Sequence, residues 1–339
     1  MNITIKDVAR EAGVSISTVS KVLNDGSSIS DATKEYVRNI MEELGYQPNE
    51  QARNFARKKT NNIIYIVLLE EHIAFKNPHM FEIMCGVQNA LSKKKYNLSF
   101  LGVASGEALS RIQDITGRKS ADGIIVHGSV TTREIAEYLS ASGFPHIIIG
   151  RPPFKCTACW IDINNSISGE MAAKHLTECG CRKIAFIGGP KGDEISTKRL
   201  NGFQSAMYNI GYRVSGKYIK YGDNSKESGY RLAMELFEET EQPDGIICEN
   251  NYIALGVVKA MNAIKKRIPE DIKLISFDDY PLSRIIEPCL TVVDIDVYDM
   301  GYQAGDILFR KIKNPELNVQ SYTTLPRIIV RNSTGKKTM

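Results

Sequence analysis

The stretch TIKDVAREAGVSISTVSKVLN, residues 4–24, decides the fold at the N-terminal end of the chain. Thr4 followed by Asp7 predicts a helix start, because a Thr cap and a first-turn acid both suit the free amides there. Gly13 predicts the end of this first helix, and Ser15 predicts the cap of a second. A connection this short makes the two helices cross steeply, which is typical of a helix-turn-helix.

The second predicted helix has an apolar face and a polar face. Val19, Val22 and Leu23 share the apolar face and are expected to pack on the first helix. The opposite face carries short polar groups, one cation and one aliphatic side chain, namely Ile16, Ser17, Ser20, Lys21 and Asn24. This mixture suits a DNA major groove, where Lys donates to guanine, Ser bonds base edges and an aliphatic group meets a thymine methyl.

A third helix and a basic segment complete the N-terminal part of the chain. The third helix begins after Ser30 and ends at Gly45, with apolar residues at helical spacing between them. Residues 1–60 contain nine Lys and Arg against eight Asp and Glu, so net charge gives no reason to expect DNA binding. The cations are clustered instead, at Arg53, Arg57, Lys58 and Lys59.

Residues 3–60 resemble the DNA-binding head and hinge of the lactose/galactose repressor family, since the opening stretch is followed by Ser30, Thr33, GYQPN and ARNFARKKT. The resemblance implies base contacts by Ile16, Ser17 and Lys21. It implies phosphate contacts by Thr4, Ser15, Thr18, Asn24, Ser30, Thr33 and Tyr46. The implied hinge residues at the minor groove are Ala52, Arg53, Phe55 and Ala56. Phe55 stands where the family usually inserts a Leu between base pairs, and aromatic wedges also serve that purpose.

Short apolar runs alternate with amphipathic segments over the rest of the chain. The runs predict strands at 63–69, 98–103, 123–126, 146–149, 183–187, 245–248 and 273–277. The amphipathic segments predict helices at 80–94, 132–142, 166–179, 197–210, 228–239 and 253–264. This alternation is typical of parallel sheets that are covered on both faces, and the number of units predicts two doubly wound lobes.

The expected architecture has three parts. Residues 1–48 form an all-α helix-turn-helix head, residues 49–60 a hinge helix and linker, and residues 61–335 a two-lobed domain for effector binding and dimerisation. The fold class is therefore an all-α head plus an α/β effector domain of two doubly wound parallel-sheet lobes. The family resemblance reaches about Thr334 and implies that this domain is like the periplasmic sugar-binding proteins.

Ligands of doubly wound folds bind beyond the carboxyl ends of the strands. That rule selects the segment 75–81, His127, Arg151, Arg199 nearby, Glu249, Asn250 and Asp278. The resemblance adds an Arg in RLNGF, an Asn ahead of ALG and the first Asp of SFDDY as sugar-binding residues. The complete expected set is Phe81, His127, Arg151, Arg199, Asn224, Asn250 and Asp278. Structural roles remain open alternatives: a salt bridge for Arg199, a turn for Asp278 and core packing for Phe81. An acidic sugar or a sugar phosphate also stays open as the ligand.

Composition and motifs argue against other classes of protein. Hydrophobic residues make up 42% of the chain and charged residues 24%, as in ordinary globular proteins. Cys156 and Cys159 lack the second pair spacing and ligand histidine of a structural zinc site, so no metal or cofactor is expected. No catalytic motif is present, which argues against an enzyme. Without an apolar span or secretory signal, we expect no membrane partner and a cytoplasmic, nucleoid-associated location.

These features predict a transcriptional regulator, most simply a repressor of carbohydrate-related genes. It is expected to bind a pseudo-palindromic operator on double-stranded DNA as a homodimer and to respond to a small sugar or sugar derivative. The alternative is a cytosolic sugar-binding protein whose helical head does not bind DNA. A sugar-processing enzyme is the third hypothesis, and it would convert the ligand that it binds.

Overall fold

The computed structural model describes residues 3–23, 25, 27–46, 59–69, 79–104, 106–317 and 319–335. The chain divides into two compact units, Met1–Asn61 with Ser120–Asp122 and Asn62–Lys119 with Gly123–Met339. Each unit buries apolar side chains in cores of its own. No helix in the described part of the chain is long and apolar enough to cross a membrane.

Three helices form the head, namely α1 (Ile5–Glu11), α2 (Ile16–Leu23) and α3 (Asp31–Glu43). Their apolar faces meet around the fully buried side chains of Val8, Val19 and Val37. Gly13 ends the first helix region with a φ of +63°, and Gly45 follows the third with +64°, in the left-handed conformation that glycine adopts at little cost. The predicted helix-turn-helix is confirmed.

The caps of these helices follow from the sequence. The Thr18 amide donates to Ser15 Oγ at 3.0 Å, and the Thr33 amide donates to Ser30 Oγ at 3.3 Å. At the first helix the Asp7 carboxylate accepts from the Thr4 amide at 3.0 Å. The Thr4 hydroxyl donates to the same carboxylate at 2.7 Å, so here the acid is the acceptor at the helix start.

Twelve described strands form two sheets in the second unit. They are β1 (Asn62–Leu68), β2 (Asn97–Val103), β3 (Gly123–His127), β4 (His146–Ile149), β5 (Trp160–Ile163), β6 (Ile184–Gly188), β7 (Ile219–Tyr221), β8 (Gly245–Cys248), β9 (Lys273–Phe277), β10 (Thr291–Asp294), β11 (Ser321–Thr324) and β12 (Arg327–Ile329). The sheet orders are β11-β5-β4-β3-β1-β2 and β12-β10-β9-β8-β6-β7. All described pairings are parallel except β10 with β12. Two doubly wound lobes are thereby confirmed.

Helices cover both faces of each sheet. They are α4 (His79–Ser92), α5 (Ala108–Arg118), α6 (Arg133–Ser142), α7 (Asn165–Glu178), α8 (Glu194–Asn209), α9 (Lys226–Glu238), α10 (Asn251–Ala263), α11 (Pro281–Ile285) and α12 (Val297–Lys313). The central strands β4, β6 and β8 are buried along their whole length, as their continuous apolar sequence requires.

The strands and helices predicted between residues 63 and 277 all occur, with bounds shifted by up to three residues, whereas the hinge helix predicted within 49–60 falls largely outside the described residues. The sequence prediction missed the helices α5, α11 and α12 and the short strands β5, β7, β10, β11 and β12. Helix α12 contains Gly301 and Gly305, which weaken a helix signal. Gly301 is needed for packing, since a Cβ there would stand 2.1 Å from the Ile83 carbonyl oxygen in α4.

The chain passes between the two sheets three times within its described part: after β5, after β10 and after β11. The crossing segments are bonded to one another. The Asn164 amide donates to the Thr324 carbonyl oxygen at 3.2 Å, and Arg327 Nη2 lies 2.9 Å from Asp294 Oδ2. The carboxyl ends of the central strands of both lobes lie beside these crossings.

Candidate functional site

The polar face of α2 is exposed in the structure. Ile16 keeps 45% of its surface exposed although it is aliphatic, and Ser17 and Lys21 are exposed beside it. Val19 and Val22 on the other face are buried, so the core fixes the direction of this face. The arrangement presents one aliphatic group, one hydroxyl and one cation on a single helix surface.

The hydroxyl residues at the starts of α2 and α3 lie beside each other and beside the first-turn amides. Ser15 Oγ is 2.9 Å from Thr18 Oγ1, and Ser30 Oγ is 2.8 Å from Thr33 Oγ1. Helix N-termini and hydroxyl groups are common phosphate-binding groups. Thr4 is exposed, and Tyr46 packs half-buried on the head core. The predicted contacts Asn24, Ala52, Arg53, Phe55 and Ala56 lie outside the described residues.

A buried charged cluster lies at the strand ends of the second lobe. Arg199 of α8, Glu249 after β8 and Asp278 after β9 are 4%, 6% and 5% exposed. Arg199 Nη1 donates to Glu249 Oε1 at 2.9 Å and to the Glu249 carbonyl oxygen at 2.9 Å. Arg199 Nη2 lies 4.0 Å from Asp278 Oδ1. One guanidinium is therefore shared by two buried carboxylates. We call Arg199, Glu249 and Asp278 together the interlobe cluster.

Neighbouring side chains hold Arg199 in position. Its Nε donates to Asn165 Oδ1 at 3.2 Å, and its guanidinium carbon lies 4.1 Å above the centre of the Phe277 ring. Asn251 Nδ2 donates to the carbonyl oxygens of Phe277 at 2.6 Å and Asp278 at 3.0 Å. Asp278 itself has a φ of +72°, so these bonds hold a turn that few non-glycine residues adopt.

The first lobe reaches the cluster through His79. His79 Nε2 of α4 lies 3.3 Å from Asp278 Oδ2, and its ring packs edge-on against Tyr280 with centroids 4.9 Å apart. His79 belongs to the first lobe and Asp278 to the second, so this pair joins the two lobes. It is the reason for calling the cluster interlobe.

Burial and charge set the protonation of the two carboxylates. Burial raises the pKa of Glu249 to about 7. Arg199 and the Ser196 hydroxyl act to lower this pKa, whereas the charges of Asp193 and Asp278 act to raise it. Burial also acts to raise the pKa of Asp278, but His79 and Arg199 outweigh it and the pKa is lowered. At neutral pH Asp278 is ionised, while Glu249 is present in both its protonated and its ionised form.

Several polar atoms of the cluster have unused bonding capacity. Among the described residues, no hydrogen bond reaches Glu249 Oε2, Asp278 Oδ1 or Asn251 Oδ1, although all three atoms are buried. All three are acceptors. A buried acceptor without a donor costs about 1–3 kcal/mol, so a ligand that supplies donors here is stabilised.

Asn250 and Asn224 lie together at the edge of the same lobe. Asn250 Oδ1 caps α10 by accepting from the Ile253 amide at 2.9 Å. Its Nδ2 donates to Asn224 Oδ1 at 3.1 Å. Both side chains have protein partners, and their ligand role stays a prediction.

His127 of the first lobe is a neutral imidazole. Burial lowers its pKa to about 4, and repulsion from His79 acts in the same direction. The Ser129 amide donates to Nδ1 at 3.1 Å, so Nδ1 accepts and the single ring proton is on Nε2.

Two predicted ligand residues lie apart from these contacts. Arg151 is exposed and stacks over Trp160 at 5.7 Å, in a polar pocket that also includes Glu194 and Gln320. Phe81 is 65% exposed on α4. The aromatic rings at the cluster are Phe277, under Arg199, and the His79–Tyr280 pair, beside Asp278. The sequence analysis named His79 only as part of the segment 75–81 that follows the first strand. It did not select Asn165 or Asn251, which are the first residues of helices α7 and α10 in the second lobe.

The chain matches two family descriptions. Residues 4–49 match bacterial regulatory proteins of the lacI family, and residues 173–334 match a periplasmic binding protein-like domain. The HTH-type transcriptional repressor PurR of Haemophilus influenzae (strain PittEE) is 31% identical over 335 residues, covering 97% of this chain and 98% of the relative. Catabolite control protein A of Priestia megaterium is 32% identical over 338 residues, covering 98% and 100%.

A solved structure shows the same two-part organisation. The transcriptional regulator CelR in complex with cellobiose superposes with a TM-score of 0.71 at 27% identity, over 98% of this chain and 99% of that one. A helix-turn-helix head joined to two parallel-sheet lobes defines a DNA-binding transcriptional regulator. The chain belongs to the LacI family of bacterial regulatory proteins. Its relatives are named as regulators, which points away from an enzyme and from a sugar-binding protein without DNA binding.

Proposed function

We propose that this regulator is a repressor of carbohydrate-related genes that a sugar or sugar derivative controls from the interlobe cluster. The observation that carries the proposal is the set of buried acceptors in Glu249, Asp278 and Asn251 that have no described donor. Sugars carry many hydroxyl donors, and bonds to ionised acceptors are strong and directional. CelR, a relative of this chain, was solved with cellobiose.

For the head we propose a division of contacts. Ile16, Ser17 and Lys21 read bases in the major groove, because they form the exposed face of α2. Phosphate contacts come from the residues at the helix starts and beside them: Thr4, Ser15, Thr18, Asn24, Ser30, Thr33 and Tyr46. Ala52, Arg53, Phe55 and Ala56 enter the minor groove, with Phe55 as the wedge.

The proposed parts are the head 1–48, the hinge 49–60 and the effector and dimerisation domain 61–335. A homodimer supplies two heads, and a pseudo-palindromic operator supplies two matching half-sites. Ligand at the cluster changes lobe closure, which alters whether the paired hinges order on DNA. The remaining ligand contacts that we propose are Phe81, His127, Arg151, Arg199, Asn224 and Asn250.

Two measurements test this function. Selection of bound sequences from a random DNA library, followed by fluorescence anisotropy at several salt concentrations, should return a two-fold symmetric site with salt-dependent affinity. Thermal unfolding against a sugar panel should give a concentration-dependent rise in melting temperature for one sugar class, and that sugar should change the anisotropy. Asymmetric selected sites, or a ligand that leaves DNA affinity unchanged, contradict the proposal.

A further inference from the structure

We infer that the effector is an amino sugar, and that Glu249 is the residue that selects its ammonium group. The inference rests on the proposed function, since it names the ligand class of the same cluster. No neutral or phosphorylated sugar is expected to bind as tightly.

The charges of the cluster point to a cationic ligand. Two carboxylates, Glu249 and Asp278, share the single guanidinium of Arg199. Both carboxylates are more than nine-tenths buried, so water screens their charge poorly. The other nearby basic group, His79, contacts Asp278 at 3.3 Å and not Glu249 in the described contacts. Arg199 bonds the Glu249 carboxylate through Oε1, so the buried Oε2 of Glu249 is left without a described donor.

The unbonded polar atoms of the cluster are acceptors, which is the kind of partner that an ammonium needs. Glu249 Oε2, Asp278 Oδ1 and Asn251 Oδ1 are buried acceptors without described donors. An ammonium has three donors and no acceptor, whereas a hydroxyl brings one donor together with lone pairs of its own. An ammonium thus adds both hydrogen bonds and a compensating charge, and the second gain is largest in a buried site.

The same two carboxylates would repel an anionic ligand. A phosphate at this cluster faces two carboxylates and a guanidinium that already donates to Glu249 at two oxygen atoms. His127 is neutral, because burial and His79 hold its pKa at about 4. Repulsion between like charges at close range is costly where screening is weak. The cluster therefore excludes a sugar phosphate group from this position.

Titration of Glu249 gives the inference a second signature. Its pKa of about 7 means that a proton occupies part of the free protein at neutral pH, with Asp193, Asp278, Arg199 and Ser196 as the facing groups. Binding of an ammonium expels that proton. Affinity for an amino sugar should therefore rise with pH between about 5.5 and 7.5, and each binding event should release close to one proton near pH 6.

The test uses the full-length protein with glucosamine, galactosamine and mannosamine. The matched probes are the parent hexoses, the N-acetyl derivatives and glucose 6-phosphate. Isothermal titration in two buffers of different ionisation enthalpy measures affinity and proton release together. We expect one hexosamine to bind at least about tenfold more tightly than its parent and its N-acetyl form, since tenfold corresponds to one ordinary charge-assisted contact.

Variants separate recognition by Glu249 from a structural role. Glu249→Gln keeps the shape and should weaken hexosamine binding about tenfold while abolishing proton release. Glu241→Gln removes an exposed carboxylate that pairs with Lys183 and Lys217, and should change neither. Proton release in the unmodified protein gives a readout that does not depend on the fold of any variant.

The possible outcomes test the amino-sugar inference separately from the proposed function as a sugar-controlled repressor. A parent hexose or sugar phosphate that binds as tightly as the hexosamine, or a Glu249→Gln protein with unchanged hexosamine affinity, overturns the inference and leaves a sugar-controlled regulator standing. Failure of all three hexosamines to bind at millimolar concentration also overturns it. Failure to select a symmetric operator bears on the proposed function alone.

Discussion

Gly169 and Arg199 hold α7 and α8 in backbone contact: a Cβ at position 169 would stand 1.8 Å from the Arg199 carbonyl oxygen. The contact is reciprocal, since a Cβ on Gly202 would stand 1.9 Å from the Ser166 carbonyl oxygen. The residue that anchors the interlobe cluster is thus positioned by a glycine in the neighbouring helix. The hydrogen bond that Arg199 Nε donates to Asn165 Oδ1 completes that positioning.

We expect Gly169→Ala to impair ligand binding beyond its effect on stability. The added methyl group must push α8 away, at a cost of about 1–3 kcal/mol, and Arg199 moves with the helix. Urea unfolding measures the stability, and the ligand-induced rise in melting temperature measures binding. Wild-type affinity in a folded Gly169→Ala protein would show that helix spacing does not position Arg199.

Gly117→Ala is the matched control for that variant. Gly117 lies in α5, and a Cβ there has no heavy atom within 4 Å in the described surroundings. Alanine favours a helix over glycine by about 1 kcal/mol, so this variant should be as stable as the unmodified protein or slightly more so. Its ligand affinity should be unchanged.

Periodicity and strand-end position predicted most of what matters in this chain. The head was predictable because its caps are local: Ser15 and Ser30 each bond an amide three residues later. The lobes were predictable because buried parallel strands are continuously apolar. Glu249 and Asp278 were expected from their places after strands, and the family resemblance added a ligand role for Arg199 and Asp278.

The partners of those residues were not predictable for a physical reason. Asn165 and Asn251 lie 34 and 26 positions from the residues that they bond, so only tertiary packing brings them there. His79 belongs to the first lobe but contacts Asp278 of the second, and no local sequence pattern predicts such a contact. Phe81 was the aromatic residue expected to contact the ligand. It lies two positions after His79 in helix α4, and it is His79 that contacts Asp278.

Lys21→Ala should reduce discrimination at one base pair in each half-site by about 1–3 kcal/mol, because Lys21 is expected to donate to a guanine edge. Anisotropy titrations against an operator and its single-position variants measure this. Arg10→Ala removes another exposed cation of the head, one that pairs with Asp7 at 2.8 Å, and should leave base preference intact. An equal loss on all sequences for Lys21→Ala would make it a phosphate contact.

Asp278→Asn should remove the ligand response while preserving DNA binding. The substitution keeps the shape of the side chain but takes away the charge that faces Arg199 and His79. Thermal shift and operator anisotropy, each with and without the stabilising sugar, report the two properties separately. Asp271→Asn, at an exposed carboxylate paired with Arg267, is the control. A normal ligand response in Asp278→Asn would move the binding site away from the cluster.

Stability of the ligand-free protein should fall between about pH 5 and pH 8 because of Glu249. Its folded pKa is raised from 4.5 to about 7, so over this range the folded state holds a proton that the unfolded state has released. Raising the pH therefore destabilises the fold, by up to about 3 kcal/mol at the upper end.

The histidines give the opposite slope and must be separated from this effect. Burial lowers the pKa of both His127 and His146 to about 4, so their stabilisation is present at high pH and is lost as the pH falls below about 6.5. Comparing unmodified protein with Glu249→Gln by urea unfolding at each pH cancels the histidine contribution. The variant should be relatively more stable at pH 8 than at pH 5, because only the unmodified protein must bury an ionised carboxylate there. A difference that does not change with pH would mean that Glu249 is ionised throughout, with Arg199 compensating its charge fully.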